Sequence, residues 1–172
     1  MANIDSIRVR VPHRPKSGLR YEGALNQKRI LIVDDDRAVT QVLVRILEIT
    51  GSYEVRAVND PTTAVAAAQE FHPDLIVLDI IMPTLDGGEV LAELRGEREF
   101  SELPAIFLTG LVSSDEIGSE GYEISGQPVI PKPVTAHAFR AAVAVQLRPK
   151  GVAAESWAAR YMAARLPAII VT

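Results

Sequence analysis

Short apolar runs and helical stripes alternate along the middle of the chain. "ILIV" (Ile30 to Val33) has the length and make-up of a strand buried on both faces. After "DDD", the residues Val39, Val42, Leu43, Ile46 and Leu47 recur at i, i+3, i+4, i+7 and i+8. That spacing predicts one face of a helix, which Gly51 ends. "YEVRAV" predicts a second strand. Pro61 suits the first turn of a second helix, with Ala64, Val65, Ala68 and Phe71 turned inward. "DLIVLDI" is a third strand, followed by a loop holding Pro83 and Gly87-Gly88, and Val90, Leu91 and Leu94 mark a third helix. "AIFLTG" is a fourth strand and "PVIPKP" a short fifth, before a last helix faced by Phe139, Val143 and Leu147. Between strands four and five, "SSDEIGSEGYEIS" reads as a short, loose helix. Ser113 and Glu116 form a candidate capping box there, but Gly118 and Gly121 each cost a helix about 1 kcal/mol against alanine. Five strand-helix alternations with short connections predict an α/β fold whose parallel sheet is covered on both faces.

Composition narrows the picture without changing it. The chain has 172 residues and a net charge of −4, room for one domain with extensions and little general affinity for nucleic acid. It contains no cysteine, so disulfides and thiolate metal sites are excluded, as a reducing compartment would favour. No apolar run reaches the roughly 18 residues of a membrane span, and the first residues lack the apolar core of a secretory signal. The expectation is a cytoplasmic protein.

Three regions follow from these patterns. Residues 1–27 form an arm with Arg8, Arg10, Arg14, Lys16 and Arg20 against two acids, Asp5 and Glu22, and with Pro12 and Pro15 interrupting regular structure. Its "IRVRV" alternates like a short strand with no evident partner; the arm reads either as a solvated leader or as a docking element for an acidic partner. Residues 28–147 form the domain. In residues 148–172, "VAAESWAARYMAARLP" reads as a helix with Ala153, Trp157, Tyr161 and Ala164 on one face. That face either packs back on the domain or serves as a dimer or partner surface. The 25 residues after Leu147 are too few for a winged-helix DNA-binding domain or a cyclic-dinucleotide output domain.

The chemistry gathers at one edge. In an open parallel sheet, ligands bind beyond the carboxyl ends of the strands. Asp34, Asp35 and Asp36 follow strand one, Asp79 ends strand three, Thr109 ends strand four and Lys132 ends strand five. Each alone has a plain reading: Asp36 suits a helix cap, a lysine after a strand is usually solvated, and threonine is common in strands. Together they describe a site. Two like charges about 4 Å apart repel by roughly 4 kcal/mol at an effective dielectric of 20, so the acids need protonation or a cation. A hard divalent ion with oxygen ligands and retained waters, such as Mg2+, answers that need. Lys132 adds a positive charge suited to an anion, and the combination suits phosphate, with Asp79 as the nucleophile.

These residues resemble the receiver domain of two-component response regulators. The resemblance runs from about Lys28 to Leu147 through "LIVDDD", "DLIVLDIIMPTLDGGEVL", "AIFLTG" and "PKPV", in that family's order and spacing. It implies a flavodoxin-like (βα)5 doubly wound sheet of order 2-1-3-4-5, with N- and C-terminal extensions. It also implies phosphoryl transfer to Asp79 from the phosphohistidine of a histidine kinase or phosphotransfer protein. By that resemblance Asp35, Asp79 and the Ile81 carbonyl would bind Mg2+ directly, Asp34 partly through water. Thr109 would hydrogen-bond a phosphoryl oxygen and move on activation, and Lys132 would pair with the phosphoryl group. Pro133 resembles the proline that follows that lysine in the family, with a cis bond a candidate there.

Three positions depart from the pattern. Val129 stands where the family usually has a switching Tyr or Phe, which puts an aromatic flip coupled to Thr109 in doubt, although Tyr122 is near in sequence. The stretch from Thr109 to Lys132 is about one residue longer than usual. Ile81 and Leu111 stand two beyond Asp79 and Thr109, where apolar side chains in the family hinder hydrolytic water; slow self-hydrolysis is expected. The leading reading is a stand-alone phosphoacceptor switch, not an enzyme beyond its own phosphorylation and dephosphorylation, that signals by protein contact or phosphorelay to a downstream protein and has no DNA-binding domain. A phosphorylation-independent binding module and an aspartyl-phosphate phosphatase are the competing readings.

Overall fold

The computed structural model describes residues 27–111 and 122–148, together with Ala159 and Ala163. Six strands form one sheet: β1 (Lys28–Val33), β2 (Tyr53–Val58), β3 (Leu75–Asp79), β4 (Ala105–Thr109), β5 (Tyr122–Ile124) and β6 (Gln127–Pro131). Among the described residues the α-helices of the domain are α1 (Arg37–Glu48), α2 (Ala64–Phe71), α3 (Gly87–Gly96) and α4 (Ala136–Gln146). The strand order is β2-β1-β3-β4-β6-β5. All neighbours are parallel except β5 and β6, an antiparallel hairpin. The expected 2-1-3-4-5 order is therefore present, with β6 as the expected fifth strand, and a short extra strand lies outside it.

Apolar runs explain the central strands. Every residue of β3 and β4 is buried, as are Ile30 to Val33 of β1, because helices cover both faces of the sheet. Ile30, Ile32, Val77, Leu108 and Ile130 pack towards Leu43 and Leu47 of α1 and Phe139 and Val143 of α4. Leu31, Val33, Ile76, Leu78 and Phe107 pack towards Ala68 of α2 and Val90, Leu91 and Leu94 of α3.

Several boundaries differ from the sequence expectation. Tyr122–Ile124, read there as the end of a loose helix, is strand β5; the rest of that expected helix, including Ser113 and Glu116, lies outside the described residues. Three residues are too few to show strand alternation, but the Ser125-Gly126 turn, with φ of 52° and 71°, closes the hairpin. Gly87 and Gly88, expected in a loop, open α3 behind an Asp86–Glu89 capping box. In α1, Val42 is 57% exposed, not inward, while Thr40 is buried in its place. Val65 of α2 is only half-buried. The arm and the C-terminal segment lie outside the described residues, save Ala159 and Ala163, both helical and exposed. No helix among the described residues is long and apolar enough to cross a membrane.

Candidate functional site

The carboxyl ends of β1, β3, β4 and β6 meet at one edge of the sheet, and the residues that end or follow these strands build the site. Asp34 follows β1 and is completely buried. Its backbone N–H donates to Val58 O at 3.2 Å, and Asn59 Nδ2 donates to Asp34 O at 2.7 Å. Of its carboxylate oxygens, Oδ1 accepts from the Asp36 N–H at 2.9 Å and Oδ2 from Lys132 Nζ at 2.7 Å. Asp35 is exposed. Asp36 caps α1, accepting from Ala38 N at 2.7 Å and Val39 N at 3.4 Å.

Asp79 ends β3 and is 7% exposed. The apolar residues after it do not continue the strand. The Ile80 N–H still bonds Leu108 O at 2.9 Å, Ile81 is 53% exposed, and Met82 folds back into the core. The chain leaves the sheet at the charge and buries its side chains again three residues later. A Cβ on Gly87 would lie 2.3 Å from the Asp79 carbonyl oxygen, so α3 can start against the end of β3 only with glycine there.

Lys132 follows β6 and reaches back across the site. Its Nζ stands 2.7 Å from Asp34 Oδ2 and 3.0 Å from Asp79 Oδ2, and its backbone N–H bonds Thr109 O at 2.7 Å. The Lys132–Pro133 peptide is cis. Thr109 is buried, and its hydroxyl accepts from the Leu111 N–H at 3.0 Å. Val129 is fully buried and pairs across the hairpin with Tyr122, which is 49% exposed.

Burial pushes the Asp79 carboxyl above its ordinary value, against the pull of Lys132, and the Asp34 charge and the Ile81 N–H add smaller effects in opposite directions. Lys132 is held above its ordinary value: burial would lower it, but hydrogen bonds to Asp34 and Asp79 outweigh that. Carboxylate oxygens of Asp34, Asp35 and Asp79 lie within 4.8 Å of one another. One ammonium among three carboxylates leaves a formal surplus of two negative charges, which matches a hard divalent ion bound by oxygen. The donor set therefore fits Mg2+. The structure brings together Asp34, Asp35, Asp79 and Lys132, sets Thr109 on the adjoining strand end, and places the Ile81 N–H at the Asp79 carboxylate.

Asn59 and Thr40 were not singled out in the sequence. Asn59 bonds both the Asp34 carbonyl and Thr40 Oγ1, at 2.7 and 3.1 Å, and so steadies the β1 end of the site. The only signal was a polar "ND" after a strand, which any turn could carry.

An α/β sheet with acids, a threonine and a lysine at its strand ends defines a class of domain whose site pairs a candidate cation position with a lysine, and comparison with known proteins gives the family. The response regulator receiver domain matches residues 30–144. Among curated relatives, response regulator MprA of Mycobacterium tuberculosis is 39% identical over 136 residues, covering 77% of this chain and 57% of that protein. MprA of Mycobacterium leprae is 38% identical over 120 residues, 70% of this chain and 51% of that one. Among solved structures, the receiver domain of the hybrid histidine kinase CckA superposes with a TM-score of 0.57 at 33% identity, covering 70% of this chain and 99% of its own. Chemotaxis response regulator CheY4 of Vibrio cholerae gives 0.59 at 25% identity, with 69% and 98% covered. The chain belongs to the response regulator receiver domain family of two-component signalling. It spans about half the length of the curated relatives it matches.

Proposed function

We propose that this receiver accepts a phosphoryl group on Asp79 from the phosphohistidine of a histidine kinase or phosphotransfer protein, and passes the signal on by protein contact or onward phosphotransfer. The observation that carries this reading is Lys132 Nζ lying between the carboxylates of Asp34 and Asp79, with Asp35 beside them. An Asp79 carboxylate oxygen attacks phosphorus as the P–N bond to the donor imidazole breaks. The electron pair returns to the ring nitrogen, which takes a proton. Lys132 trades its contact with Asp79 for one with a phosphoryl oxygen while keeping Asp34, and the Thr109 hydroxyl turns from Leu111 to a second oxygen. Asp35, Asp79 and the Ile81 carbonyl would hold Mg2+ directly and Asp34 partly through water, and the ion when bound supplies charge screening for the incoming phosphate. A groove of about 570 Å³, lined by Ala38, Val39, Val42, Pro133 and Val134, opens beside Lys132 and offers an apolar seat for the donor protein.

The test is acetyl phosphate with and without Mg2+, followed by intact mass. Wild type should gain one PO3 unit only with the ion, and Asp79→Asn none. Labelling that is absent in wild type, or equal in the variant, would remove the proposal. A phosphorylation-independent binding module is favoured by one feature, Val129, which leaves the expected position without an aromatic ring. Equal affinity of a partner for wild type, the phosphorylated form and Asp79→Asn would establish that second reading instead.

A further inference from the structure

β2 lies at the edge of the sheet and, among the described residues, pairs with β1 alone. Because the Val58 carbonyl accepts from the Asp34 N–H, Glu54, Arg56 and Val58 turn their backbone groups towards β1. The N–H and C=O groups of Tyr53, Val55 and Ala57 therefore point out of the sheet, and no strand among the described residues pairs with them. Open edges are usually blunted by proline, a bulge or charge. This one has no proline or bulge, and its two charges, Glu54 and Arg56, are opposite in sign.

We propose that β2 pairs with β2 of a second copy of this chain, antiparallel about a two-fold axis through Val55. "YEVRAV" is self-complementary in that register. Val55 faces Val55 and Tyr53 faces Ala57, so every outward N–H and C=O of one strand meets an outward partner on the other. Between these hydrogen-bonded pairs, Glu54 of each copy stands directly opposite Arg56 of the other, at the positions where side chains approach most closely. Charge selects this register over its neighbours. An axis through Glu54 or Arg56 would set like charges face to face. An axis through Tyr53 or Ala57 would oppose Glu54 to Ser52 or Arg56 to Val58, and would shorten the ladder.

Both faces of the strand suit that pairing. On the α2 side, Arg56 stacks over the Phe71 ring at 4.8 Å and its Nη1 lies 3.1 Å from Glu70 Oε2. The guanidinium is thus held in place yet partly exposed, ready for the second copy's Glu54. On the α1 side, half-buried Tyr53 and Val55 continue as an apolar row across the axis. Arg37, Gln41, Arg45 and Glu48 of α1 flank that row around a polar groove of about 440 Å³. The two α1 helices run antiparallel across the axis, which sets the Arg37 end of one level with the Glu48 end of the other. Six residues a side bury less than the roughly 1,200 Å² of a standard interface, so the dimer is weak, with a Kd of tens of micromolar or more. No residue of the Asp34, Asp79 and Lys132 cluster takes part, and the proposal is independent of phosphoryl chemistry.

The test is sedimentation equilibrium on the full 172-residue chain, from about 10 μM to about 1 mM. Wild type should pass from monomer towards dimer across that range. Glu54→Arg and Arg56→Glu, checked for wild-type circular dichroism, should each weaken self-association roughly tenfold or more, since each opposes like charges. An equimolar mixture of the two variants should dimerise like wild type, because every acidic position then faces a basic one. Wild type that stays monomeric throughout overturns the proposal. So do single variants that associate as wild type does, or folded variants whose mixture fails to recover. A monomer whose Tyr53, Val55 and Ala57 amides nonetheless exchange slowly overturns it in favour of a segment of the same chain on that edge.

Discussion

Asp79 is a carboxyl group held where its charge is unwelcome. Its folded-state pKa lies above the unfolded value, so the folded protein binds more protons between the two, and stability falls as pH rises through that interval. At neutral pH the ionised group is a net cost, and Asp79→Asn should raise Tm by a few degrees in metal-free buffer, on the order of 1 kcal/mol. Differential scanning calorimetry would show it; an unchanged or lower Tm would contradict it. Lys132 has the opposite character. Lys132→Ala strands the buried Asp34 carboxylate without its cation and should destabilise by roughly 3 kcal/mol in urea denaturation. The charged members of the site were legible in the sequence because each directly follows or ends an apolar strand. Asn59 and Thr40 were not, since Asn59 joins the Asp34 carbonyl to the Thr40 hydroxyl through its side-chain amide, a contact that no spacing in the sequence marks.

At the scale of elements, α3 is fitted to β3 through one missing side chain. Gly87→Ala would press a methyl group into the Asp79 carbonyl and should cost about 1–3 kcal/mol. It should also slow labelling by acetyl phosphate, because the residue that gives way is the proposed acceptor. Gly88→Ala, which meets only the Asp86 side chain, at 3.1 Å, is the milder control. At the opposite edge of the sheet, Asp74 accepts from Lys28 Nζ at 2.7 Å and from the Arg29 N–H at 2.8 Å, joining the starts of β1 and β3. Although burial opposes it, these partners hold the Asp74 pKa below its ordinary 3.8. Its contribution is therefore fully present above that value and is lost as pH falls through the lower folded value. The stability gap between wild type and Asp74→Asn, a fraction of a kcal/mol at neutral pH, should close during acid titration below about pH 4. The strands and α1 to α4 were readable from their periodicity. The hairpin was not: β5 is too short for alternation, and its two preceding glycines argued only against helix. Val42 misled for a related reason, since a groove at the site end of α1 leaves an apolar position of the stripe open to solvent.

For the whole molecule, fold and chemistry divide along the strands, with ties such as Lys28–Asp74 at one end and the cluster of Asp34, Asp79 and Lys132 at the other. Over the site end stand two exposed apolar side chains, Ile81 at 53% and Leu111 at 69%. Neither side chain offers a hydrogen bond to align a hydrolytic water, so the phosphoryl group proposed on Asp79 should last for many minutes or longer with Mg2+ present. Replacing both with polar residues should shorten that lifetime about tenfold, read by mass against time after the donor is removed. A wild-type lifetime of seconds would refute this.

The double engagement of Asp34 reaches further. With one oxygen on the Asp36 amide and the other on Lys132, that side chain has little left to offer a visiting ion directly. A cation gripped chiefly by exposed Asp35 and by Asp79 should come and go far faster than the group it helps install. Free magnesium would then set how readily the switch is thrown, while the covalent mark alone would keep the memory of it.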